Sequence, residues 1–212
     1  MKKLILILFL FAIPIWAGDA EEIIEELQQK YENIQYLKIE FNQVTHFKLS
    51  GIENISSGVM FIGTEDRFRL ETEERTIVTD GVTIWSYSPL NNQLVIDKAK
   101  KSGSSILPRE FLFSYSEKYD PFILKEYEEK DIEWAILKLT PKPQFRSAVR
   151  YIKIWVRMDK WLVSRIDYVD LNGNTTTFDV KKLTEPKSLP AKTFDYKAPE
   201  GTAIIDLTKK HG

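Results

Sequence analysis

Histidines, cysteines and paired carboxylates carry most protein chemistry, and this sequence holds few of them in usable arrangements. The 212-residue chain has two histidines, His46 and His211, and no cysteine. The two lie far apart, and His211 sits in the terminal tail. His46 ends a segment with one polar face, so it reads as a solvated surface residue. Without cysteine or clustered histidine there is no zinc-ligand spacing, and neither a metal nor a cofactor is expected. There is no phosphate-cradling glycine loop and no strand–turn–helix nucleophile elbow. The 31 acidic residues fall in alternating or helical surface patterns, and no pair is singled out as acid and base. These residues predict a protein that is not an enzyme.

What the chain has in surplus is apolar bulk: five Trp, nine Tyr and twelve Phe. The elements that must position this bulk can be read from periodicity. Ile23, Leu27, Tyr31 and Ile34 recur at helical spacing, with Ile24 beside them. Asp19 is placed to cap that helix, and Glu21 and Glu22 favour its first turn. After Ile34 the period changes to two: Leu37, Ile39 and Phe41 alternate with Lys38, Glu40 and Asn42. Further strands are predicted at 55–62, 67–71, 76–79, 82–87 and 94–96, with Gly58 marking a bulge or close backbone approach. Later ones fall at 122–127, 134–139, 150–157, 162–171 and 175–183, with a short terminal strand at 194–196. Asp80-Gly81 and Asn172-Gly173 are tight-turn dipeptides.

So many short strands predict one mainly β domain, an antiparallel sheet curved strongly enough to approach a barrel. Trp85, Trp134, Trp155 and Trp161 fall on or beside strands, where large residues ordinarily fill a core. A curved sheet with one helix has difficulty filling its concave side, and such a shape leaves an apolar pocket. The segment 101–113 breaks the rhythm with Ser102 to Ser105 around Gly103, then a short apolar stretch. It reads as a loop and a short helix, either a fixed core plug or a lid.

The first residues form a leader. Lys2 and Lys3 precede an unbroken apolar run from Leu4 to Ile13, and Ala17 or Ala20 supplies the cleavage position. Residues 1–17 are therefore expected to be a signal peptide, and 18–212 the exported domain. No cysteine follows either junction, so lipidation there is not expected. An exported chain without disulfides fits a periplasm. The formal net charge is -1, with acids and bases interspersed, so no nucleic-acid partner is expected.

Several of these residues carry a family resemblance. Val78, Asp80, Gly81, Trp85, Tyr87 and Pro89, followed by Gln93, resemble the most recognisable segment of the periplasmic outer-membrane lipoprotein carriers, the LolA family. Phe41-Asn42-Gln43, Ser57 to Phe61, Arg67 to Leu70, and Phe194, Pro199, Gly201 and Ile204 to Asp206 add to it in order. The resemblance implies an open, strongly curved antiparallel β half-barrel, with an N-terminal helix and a short lid helix over its concave apolar face. It implies a lipid-binding cavity formed by Phe41, Met60, Phe68, Leu70, Trp85 and Tyr87, and a lid of Leu107, Phe111 and Leu112. The implied partners are lipoprotein acyl chains, an inner-membrane lipoprotein-releasing ABC complex and an outer-membrane lipoprotein receptor, served by a monomer. A carrier or sensor for another lipid or glycolipid is the alternative. Thr64 stands where the family often has an arginine that ties the lid shut, which leaves Arg67 or Arg69 to take that role.

Overall fold

The computed structural model describes residues 19–99, 115–145 and 147–209. The expected signal peptide and the expected lid lie outside them. Helix α1 (Ala20–Glu32) starts where the Asp19 carboxylate accepts the Glu21 backbone N–H at 3.2 Å. Glu21 and Glu22 occupy its first turn and Lys30 its last, matching the helix dipole at both ends. Ile23, Ile24, Leu27 and Tyr31 form one buried stripe. Asn33 ends the helix, its side-chain amide donating to the Gln29 carbonyl at 2.8 Å.

Six strands follow: β1 (Leu37–His46), β2 (Glu53–Ile62), β3 (Phe68–Thr72), β4 (Thr76–Thr79), β5 (Thr83–Ser88) and β6 (Gln93–Lys98). After a one-turn helix α2 (Tyr115–Lys118) come β7 (Tyr119–Glu129), β8 (Ile132–Pro141), β9 (Val149–Arg157), β10 (Leu162–Asp170), β11 (Thr175–Thr184) and β12 (Ala203–Asp206). All twelve join one sheet in the order β12-β6-β5-β4-β3-β2-β1-β11-β10-β9-β8-β7. Every neighbouring pair is antiparallel except β12 with β6, which is parallel. Residues 194–196 are not the terminal strand expected from sequence; they belong to a segment without strand structure, and β12 lies beyond it.

The sheet stays open and bends around α1. Ile62 of β2 and Leu137 of β8 lie in one buried cluster with Ile23, Ile24 and Leu27, although four strands separate β2 from β8. Only a strongly curved sheet brings both walls to one helix. Register shifts in the β1/β11, β9/β10 and β7/β8 pairs supply part of that bend. Gly58 supplies more: a Cβ there would sit 2.5 Å from the Phe41 ring and 2.6 Å from the Glu71 carbonyl. It is the close approach its position in the strand suggested. At the centre Val163 donates its backbone N–H to the buried Tyr31 hydroxyl at 3.1 Å, and burial pushes that phenol up to about 12.

Candidate functional site

Register assigns each strand residue to a face. Leu37 and Ile62 are opposite one another and pack in the α1 cluster, so their alternation partners share the concave side. Following the pairs outward gives Ile39 and Phe41 on β1, Met60 on β2, and Phe68 and Leu70 on β3. Ile77 and Thr79 on β4, Ile84 and Ser86 on β5, and Val95 and Asp97 on β6 continue the same face. Four of the six residues expected in the cavity, Phe41, Met60, Phe68 and Leu70, are thus placed on the concave side together.

Trp85 and Tyr87 are not. Trp85 lies opposite Val78 and Ile96, and Tyr87 opposite Thr76 and Leu94, all on the convex face. The cavity expectation fails for these two because Ile84 and Ser86, one residue out of phase, point inward. The sequence held only the relative phase of the two strands. A two- or a four-residue connection across Asp80-Gly81 alike sets even-numbered β5 residues opposite odd-numbered β4 ones. Sequence reasoning also missed Ile77, Ile84 and Val95, because that turn sets the phase of β5 against β4 without fixing the register of β6 or saying which face is inside. Of the expected lid residues, Leu107, Phe111 and Leu112 lie outside the described residues.

The two halves of the concave side differ. Along β8 to β10 it is filled: Ala135, Leu137, Leu139, Ile152, Ile154, Val156 and Val163 are buried with the α1 stripe. An edge-to-face aromatic row bridges the halves, Phe178 standing 5.6 Å from Phe41 and 5.8 Å from Tyr168. Along β3 to β6 the floor residues Phe68, Thr79 and Ile84 are buried, but Leu70, Ile77 and Val95 are only half-buried. On this wall Phe68, Leu70, Ile77, Ile84 and Val95 are apolar, with Thr72, Thr79, Ser86, Ser88, Gln93 and Asp97 polar among and beyond them.

The convex side carries its own cover. The segment before β12 crosses it: Arg69 donates to the carbonyls of Thr193 and Asp195 at 3.4 and 3.3 Å, and Tyr87 packs 6.2 Å from Tyr196. Phe194 is buried against Gly63 with the Arg67 guanidinium 5.4 Å from its ring, and Val78 and Leu94 are buried on that same face. Arg67 also donates to Thr64 at 2.8 Å, and Arg69 to Glu71 at 2.7 Å. Both arginines considered for lid locking are therefore engaged on the convex side. A groove of about 540 Å³ also lies mainly on that side, lined by Glu40, Asn42, Ser57, Val59, Glu71, Glu73 and Lys181 among others. His46 is a surface residue, 3.6 Å from Glu53. Among the described residues no group of three or more His, Asp or Glu is placed to hold a metal.

An open half-barrel whose helix fills one half of an apolar hollow, leaving the other wall partly bare, is the geometry of a binding shell for an apolar ligand. The chain belongs to the family described as outer membrane lipoprotein carrier protein LolA, whose model matches residues 32–197. Members of that family are carriers. An outer-membrane lipoprotein carrier protein of Legionella pneumophila (strain Corby) is 26% identical over 97% of this chain and 99% of its own length. One from Francisella tularensis (strain WY96-3418) is 26% identical over 99% of each. An uncharacterized conserved protein from Thermus thermophilus shares the fold, with a TM-score of 0.59 at 13% identity over 88% of this chain and 98% of its own.

Proposed function

We propose that this protein is a periplasmic carrier that takes the acyl chains of lipoproteins released by an inner-membrane ABC complex and delivers them to an outer-membrane receptor. The observation that carries the reading is the half-filled concave face: α1 occupies the β8–β10 side, while Leu70, Ile77 and Val95 remain partly open. Each acyl methylene removed from water is worth about 0.8 kcal/mol, so three long chains amount to tens of kcal/mol. Lipoproteins need a shell to cross an aqueous space. A wall left only half covered fits release as well as capture, because the shell must bind less tightly than the receiver. Leu70, Ile77 and Val95, with Met60 beside them, form the wall, and Phe41, Phe68 and Ile84 its buried floor. Among the described residues no helix is long and apolar enough to cross a membrane.

Mass spectrometry of material co-purifying with the protein from the periplasm tests this. Triacylated lipoproteins are the expected cargo. A phospholipid or glycolipid in their place would transfer the carrier reading to another cargo, and recovery of no lipid at saturating expression would overturn it.

A further inference from the structure

The β1–β2 hairpin ends in apolar residues that no described element covers. Strands β1 and β2 pair along ten residues each, but β3 pairs only with residues 58–62 of β2, so the outer half of the hairpin runs beyond β3. At its end Leu49 is 95% exposed, Ile52 62% and Phe47 41%, with Ile55 at 69% just behind. The β10–β11 turn sits beside it and adds Leu171, 60% exposed. Isolated exposed apolar residues are ordinary; five gathered at one tip are not.

The tip is built, not frayed. Phe47 donates its N–H to the Ile52 carbonyl at 2.9 Å, and Gly51 to the Phe47 carbonyl at 2.8 Å. Gly51, with φ +68, takes the left-handed angle this turn needs. Lys48 donates its backbone N–H to Asn174 Oδ1 at 3.1 Å, tying the two turns together, and its side chain lies over Gly173. Arg150 donates to the Leu171 carbonyl at 3.1 Å. Two cations therefore flank the apolar tip. Of the nearby acids, Glu53 faces His46, and Asp170 is held by the backbone and side chain of Asn174.

We propose that this double turn is a membrane-contacting surface, inserting Leu49, Ile52 and Phe47 among the lipids of an anionic phospholipid bilayer while Lys48 and Arg150 meet phosphates. A narrow apolar point with flanking cations matches the apolar interior and charged headgroups of a bilayer. Two turns do not present the flat patch of about 800 Å² per partner that a stable protein interface uses. The inference goes beyond the carrier reading and does not rest on it, since the tip is distant in register from the Leu70 wall and needs no cargo.

Vesicle co-sedimentation of the cargo-free protein tests it. Binding is expected to vesicles of phosphatidylethanolamine with phosphatidylglycerol, weaker to phosphatidylcholine alone, and weakened by salt. Leu49→Asp should lower the partition coefficient at least about tenfold. Its circular dichroism should not change, because the side chain touches nothing that folds. Leu49→Trp should gain a blue-shifted emission quenched by brominated lipid, a signal that only insertion produces. No binding by the native protein, binding that Leu49→Asp leaves intact, or binding only to vesicles carrying a membrane protein would each overturn the proposal. The last of these would make the tip a protein-docking element.

Discussion

Placing a carboxylate at residue 70 tests the concave wall while sparing the core. Leu70 is half-buried between Met60 and Ile77, whereas Phe68 beside it is buried, so a charge at 68 would report on folding. A ligand chain lying over the half-buried Leu70 gains the rest of that side chain's apolar burial, about 1 kcal/mol. Leu70→Glu removes that gain and requires the ligand to strip water from a carboxylate, or the carboxylate to take up a proton. Together these should weaken binding about 10- to 100-fold or more. Titration of a fluorescent acyl ligand, with circular dichroism and thermal melting of the free protein, reads the effect. The loss should shrink as pH falls through the raised pKa of the new carboxyl. Ser57→Glu, on the convex side of β2, should leave affinity unchanged. Unaltered affinity in a folded Leu70→Glu protein would refute the assignment of this wall, and equal losses from both variants would reduce the effect to net charge.

Two further outcomes concern stability. Because burial raises the Tyr31 phenol from 10.0 to about 12, the stability linked to its neutral form is fully present below pH 10 and lost as pH rises through 12, amounting to about 3 kcal/mol. Tyr31→Phe should abolish that alkaline limb in denaturant melts and cost about 1–3 kcal/mol at neutral pH, since the Val163 N–H loses its acceptor. Phe194→Ala should destabilise by about 3 kcal/mol and speed proteolysis of the segment crossing the convex face. Its acyl-ligand affinity should match that of the parent, because Phe194 lies on the far side of the sheet from Leu70.

Much of the architecture was legible in the order of residues. The helical stripe from Ile23 to Tyr31, the Asp19 cap and the period-two runs from Leu37 onward specify their elements through local geometry, and the structure has them. The turns at Asp80-Gly81 and Asn172-Gly173 are likewise local, and the segment from Val78 to Pro89, in order with the other matching segments along the chain, pointed to the family. Alternation, however, divides a strand into two faces without saying which one is inside. Trp85 and Tyr87 are bulkier than Ile84, yet they face outward, because burial there comes from a segment more than a hundred residues later. Phe194 and Tyr196 fold back over the convex face and make it a second apolar layer with Val78 and Leu94. The parallel pairing of β12 with β6 is of the same kind: no turn joins them, so no dipeptide announces it. Faces and non-adjacent pairings are set by which distant surfaces meet, and that is decided by the packing of the whole chain.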